Sequence, residues 1–142
     1  MFNGIVNLGS VFLISIILFI LGFLWYGPLF GKLWLKLSKI PASEVAKNRK
    51  KGMKGMWKQM VLNFVGTFVM VYVLAGLFAL LGVTLPMQGA VLGFWIWLGF
   101  FACTTLLGGV LWEGKPWGLF SLNGLYWLVS LKLAGFLIVL WS

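Results

Sequence analysis

Residues 59 to 112 of this chain contain no charged side chain, yet nine of its eleven basic residues fall between Lys32 and Lys58. Moving one Lys to the centre of a bilayer costs about 2.5–3.5 kcal/mol on insertion scales, so charges are confined to segments that stay in water. A chain divided this way is built to cross a membrane several times. Composition agrees: 62% of residues are hydrophobic and 9% charged, too apolar a balance for a soluble domain. The long stretches are apolar all round rather than along one stripe. The 142 residues leave room for four spans of about 20 residues and their connections, in one domain over residues 1–142.

The first span is expected over residues 5–26. Trp25 and Tyr26 would anchor it at the interface, and Gly27-Pro28 would end it, because proline cannot donate into a helix ladder. No basic segment precedes this stretch and no small-residue cleavage site follows it, so it reads as a retained span. Lys32, Lys36 and Lys39 then recur at helical spacing opposite Leu33, Trp34 and Leu37, the pattern of a short helix lying along the headgroups. Pro41 would break it, and Ser43 would cap a second basic helix through Arg49, Lys50, Lys51 and Lys54 towards Lys58. Further spans are expected over 60–81, 90–111 and 119–140, joined by an uncharged turn at 82–89 and a polar turn at 112–118.

The first loop carries nine basic residues and the third carries Lys115, while the second loop and both termini carry none. The positive-inside rule then puts residues 27–59 and 112–118 in the cytoplasm and both termini outside. Nucleic acid is not expected as a partner despite the net charge of +9, because the charge is gathered in one loop between spans. Anionic lipid headgroups fit Lys32, Lys36, Lys39, Arg49, Lys50, Lys51, Lys54 and Lys58 better. A weak internal repeat aligns Leu24–Gly31 with Leu111–Gly118, matching Leu, Trp and both Gly positions. A Leu-Asn pair follows each copy, at Leu62-Asn63 and Leu122-Asn123. Two helical hairpins related by an axis along the membrane normal would leave this pattern, and so would chance in a chain rich in Leu, Trp and Gly.

Few polar residues lie inside the spans. Asn63, Thr67, Thr104, Thr105, Asn123 and Tyr126 gather towards the cytoplasmic side. They are read first as hydrogen-bonding glue between helices, and otherwise as the lining of a polar pocket. Lys132 sits past the midplane of the fourth span with no acid in any span to pair with it. It either snorkels outward or faces an outer cavity, where a substrate or ion role is the functional reading. The pairs Gly27/Gly31 and Gly89/Gly93 have the small-xxx-small spacing of close helix contacts. The chain has no His and no Asp, one Cys (Cys103), and acids only at Glu44 and Glu113, so metal clusters, nucleophile–base dyads and paired carboxylates are not available. No enzyme activity and no cofactor are expected.

The stretch Leu24 to Trp34, with Trp25, Tyr26, Gly27, Pro28 and Gly31, resembles a known family. So do Leu111-Trp112-Glu113-Gly114-Lys115, Asn123 and Tyr126, and the terminal Leu140-Trp141. It is the small bacterial and archaeal membrane-protein family known as domain of unknown function 1761. The resemblance covers essentially the whole chain and implies a four-span plasma-membrane protein, but no substrate or activity. Lys132 does not belong to that pattern. The expectation is therefore an all-α bundle of four transmembrane helices, acting without catalysis through lipid contact and through association with itself or with partners. The alternative is a small oligomeric transporter or channel, its inner vestibule lined by the polar residues and its outer site marked by Lys132.

Overall fold

The computed structural model describes residues 6–38 and 42–141, with side chains described at 6–37 and 57–141. The described residues form helices and turns, without a strand. Four helices are long and apolar enough to cross a bilayer: Leu8–Leu29, Trp57–Leu81, Pro86–Trp112 and Trp117–Leu140. In a bilayer this is the expected solution, because helices satisfy their own backbone groups where no water can.

The first helix, α1 (Leu8–Leu24), starts three residues later than the sequence suggests. Asn7 sets the start, its Oδ1 accepting from the amides of Gly9 (3.0 Å) and Ser10 (3.3 Å). Pro28 does not end this span. The chain continues through Trp25–Leu29 as a π-helical turn closed by Phe30 N–H on the Trp25 carbonyl at 2.9 Å. A wider turn relieves the clash between a proline ring and the preceding carbonyl that would kink an α-helix. The break comes at Phe30, and α2 (Gly31–Ser38) follows.

The second basic helix and the second span are one helix, α3 (Ala42–Leu81), of 40 residues. Ser43 lies inside it rather than capping it. No proline intervenes, and Gly52 and Gly55 together do not outweigh the helix formers around them. Lys39 and Pro41 lie outside the described residues, as do the side chains of Arg49, Lys50, Lys51 and Lys54. Gly82, at φ +70°, closes α3 with a Schellman pattern: its N–H bonds the Ala79 carbonyl and that of Val83 bonds Phe78. The turn between the second and third spans is shorter than 82–89, because Pro86 opens α4 (Pro86–Ile96), where its missing N–H costs nothing. The third span then alternates between π-helical Trp97–Ala102, α5 (Cys103–Thr105) and π-helical Leu106–Trp112. The last helix, α6 (Trp117–Leu140), begins after Gly114, also at φ +70°.

Packing is centred on α6, which is more buried than the other spans. On one side α1 and α3 close a core with it, built from Ile14, Leu18, Val71, Phe78, Ala134 and Ile138. On another side α4 crosses α6 at backbone contact. A Cβ on Gly89 would strike the Gly135 carbonyl, and one on Gly135 would strike that of Gly89. A Cβ on Gly93 would run into the Leu131 carbonyl and lie 3.1 Å from the Lys132 Cα. The Gly89/Gly93 spacing therefore marks a close contact, as the sequence suggests. Gly27/Gly31 does not: Gly27 faces open space, and Gly31 lies against the Tyr26 carbonyl of its own turn. The Ser10 hydroxyl donates to the Trp141 carbonyl at 3.0 Å, tying the start of the first span to the end of the last.

Replacing Gly89 or Gly135 by Leu should part α4 from α6 and destabilise the fold by about 3 kcal/mol or more, since the added atoms meet backbone. Gly27→Ala should be neutral or slightly stabilising. Unfolding midpoints in detergent, measured on the three variants, check this ordering.

Candidate functional site

Among the polar residues singled out within the spans, the structure joins Asn123 and Tyr126, and it adds Tyr26. The π-helical turn at the end of α1 swings Tyr26 towards α6, where its hydroxyl donates to Asn123 Oδ1 at 2.7 Å. The Tyr26 ring meets Tyr126 edge-on at 5.2 Å and Trp34 of α2 at 6.0 Å. Trp25 tilts over Phe30 at 4.7 Å and over Tyr126 at 6.0 Å. Its indole N–H is buried and finds no hydrogen-bond partner among the described residues. Trp25 and Tyr26 thus pack into the bundle, whereas an interface anchor would project from it. Tyr126 fits this close because it lies over Gly22, where a Cβ would be 2.7 Å from its hydroxyl.

The other candidates are placed apart from this cluster or satisfied within their own helices. Thr67 is buried and donates to the Asn63 carbonyl four residues back at 2.8 Å, while Asn63 itself is exposed. Thr104 is exposed and donates to the Phe100 carbonyl at 2.5 Å and to Phe101 at 3.1 Å. Thr105 is half-buried beside Gly109. Short hydroxyls on a helix within lipid commonly back-bond in this way, which commits the protons of Thr67 and Thr104 to their own helices. Lys132 is exposed. Leu131, Ala134 and Gly135 take the inward face of α6, and a residue next to Leu131 is turned about 100° away.

The end of the bundle carrying α2 holds a cleft of about 470 Å³ lined by Trp34, Leu37, Glu113, Lys115, Leu119 and Asn123, among others. Leu37 packs closely on Gly118, where a Cβ would lie 3.0 Å from its methyl. Glu113 and Lys115 pair at 3.1 Å, with both side chains more than half exposed. Of the expected headgroup contacts, Lys32, Lys36 and Lys58 are exposed, and Lys58 lies 5.9 Å from the ring of Trp57. Trp112 projects almost fully from the surface.

The two aligned segments of the weak repeat occupy different surroundings. Trp25 packs inward while Trp112 projects; Leu122 is buried while Leu62 is exposed. The difference follows from position, since α6 is central and α3 peripheral. One bond that sequence reading missed runs from Trp97 Nε1 to the Gly124 carbonyl at 2.8 Å, linking the third span to α6. A tryptophan in mid-span opposite a glycine was the available signal, because a buried indole N–H usually finds an acceptor.

A family model described as "Protein of unknown function (DUF1761)" matches residues 10–139. No curated protein and no solved structure matches the chain.

The Tyr26–Asn123 bond should behave as an ordinary hydrogen bond within lipid. Tyr26→Phe, Asn123→Leu and the double variant, compared in a double-mutant cycle of unfolding free energy, should give a coupling of about 0.6 kcal/mol and no more than about 1.7.

Proposed function

The chain belongs to the DUF1761 family of proteins of unknown function, and we propose that it is a non-enzymatic, multi-pass plasma-membrane protein that acts by binding lipid and by associating with itself or with protein partners. Both termini lie outside, and residues 27–59 and 112–118 face the cytoplasm. The distribution of charge supports this orientation, with nine basic residues in the first loop and none in the second.

The observation that carries the reading is the length of α3. Forty residues rise about 60 Å, roughly twice the hydrocarbon thickness of a bilayer. Its apolar part begins at Trp57, so the segment bearing Lys47, Arg49, Lys50, Lys51 and Lys54 continues into water as the same rod. A basic helix anchored in this way is held close to the headgroups at no further cost in chain entropy. The charges nearest the surface then contribute about 1 kcal/mol each of attraction to an anionic leaflet, and the contribution falls off along the rod within a Debye length. The exposed Lys32 and Lys36 on α2 add to the same field. Conduction would require the polar residues of several spans to share a lumen, and no observation among the described residues favours that arrangement.

Two measurements test the proposal. In a Cys103→Ser background, Ser142→Cys should react with a membrane-impermeant maleimide on intact cells, and Ser43→Cys only after permeabilisation. Labelling in the opposite sense would reverse the orientation. In reconstituted vesicles, wild-type protein should be enriched in anionic over zwitterionic neighbours. Changing Arg49, Lys50, Lys51 and Lys54 to Gln should abolish most of that enrichment, and an unchanged ratio would remove the basic helix as a lipid contact.

A further inference from the structure

The cleft between α2 and the turn before α6 carries a recognition chemistry that the basic helix does not. Among the described residues its lining includes one acid, Glu113, and one base, Lys115, a matched pair of charges rather than a field of one sign. Asn123 adds a third polar group. Its Oδ1 accepts from Tyr26, and its amide N–H groups are donors on a residue that lines the cleft. Trp34 forms one wall, with Leu37 and Leu119 as apolar neighbours.

We propose that this cleft binds a zwitterion joining a primary ammonium to a phosphate diester, the headgroup chemistry of an ethanolamine phospholipid. The ammonium donates to the Glu113 carboxylate and lies near the Trp34 ring, whose negative face attracts cations. The phosphate accepts from Lys115 Nζ and from the Asn123 amide. Binding exchanges the Glu113–Lys115 ion pair for two pairs with the ligand. Both side chains are more than half exposed, so the bond given up is a weak one. A purely anionic ligand would meet Glu113 unpaired, and a purely cationic one would meet Lys115 unpaired. A quaternary ammonium would have no N–H for the carboxylate. The turn joins two apolar spans, which sets the cleft at the edge of the hydrocarbon, where Leu37 and Leu119 suit the glycerol end of a lipid. The inference shares with the proposed function this siting at the bilayer surface, and it does not depend on which face is cytoplasmic.

The test uses full-length protein in detergent with equal amounts of phosphatidylethanolamine, phosphatidylcholine and phosphatidylglycerol, counting retained lipid by native mass spectrometry. Wild type should keep one ethanolamine lipid with about threefold preference over choline. Glu113→Gln, an exposed and structurally mild change, should erase that preference. Lys115→Gln should weaken retention of both zwitterions. The variant with Arg49, Lys50, Lys51 and Lys54 changed to Gln should lose phosphatidylglycerol yet keep its ethanolamine lipid, which separates this site from the basic helix. If soluble glycerophosphoethanolamine displaces the lipid, the site also takes the free zwitterion; if it does not, the membrane is the source. Equal retention of ethanolamine and choline lipids by wild type, or an unchanged preference in Glu113→Gln, would overturn the assignment.

Discussion

The arrangement of the bundle depends on how closely α4 approaches α6. Between helices in lipid there is little hydrophobic driving force, because the solvent is as apolar as the side chains. What remains is dispersion, and dispersion rewards backbones that can come together. Gly89, Gly93 and Gly135 allow that approach, with each helix's carbonyls lying where the other's Cβ would have been. Cα–H groups facing carbonyls at such crossings add weak attraction. With α4 held against one face of α6, another face is left to α1 and α3, whose core residues are larger and interdigitate in the usual way. The central helix is thus smooth on one side and knobbed on the other.

Much of this architecture was legible in the residues. The four spans follow from apolar length, and the Gly89/Gly93 spacing marks a real contact where the same spacing at Gly27/Gly31 does not. The helix ends were less legible, for identifiable reasons. Asn7 is inconspicuous as a cap because apolar residues flank it on both sides. Pro28 reads as a terminator only if the helix is assumed to keep its α register, and a π-helical turn removes that assumption. The continuity of α3 was obscured by Gly52 and Gly55, whose local preference is outweighed by an unbroken run of residues on either side. Pro86 suits a turn and the first position of a helix equally well, so its place is ambiguous from sequence.

The site was legible in part. Asn123 and Tyr126 share a face by spacing, but nothing in the sequence says that Tyr26, 97 residues away, completes their cluster. That contact depends on the π-helical turn, which rotates the chain beyond the α register. The outward orientation of Lys132 and Asn63 depends on which face of each helix is buried, and helices apolar all round do not reveal it. A periodicity argument has least to work with where every position is hydrophobic.

This distribution of polar groups bears on where the protein can act. Inside the spans, Ser15, Thr67 and Thr104 direct their hydroxyls to carbonyls one turn back, Tyr26 bonds Asn123, and the Trp97 indole bonds Gly124. The three hydroxyl bonds stay within one helix and the last two join helices, and recruiting a buried one of these groups for a ligand would leave its partner unsatisfied. The groups with capacity to spare stand largely at the boundary near α2: Lys32, Lys36, Glu113 and Lys115. They can exchange partners with water or a headgroup at small cost, since the bonds they give up are exposed ones. A bundle that commits most of its interior polarity to structure, the Trp25 indole apart, and keeps exchangeable polarity at one surface suits the recognition proposed for that surface. That is the physical ground on which lipid binding, rather than conduction through the interior, is the reading favoured here.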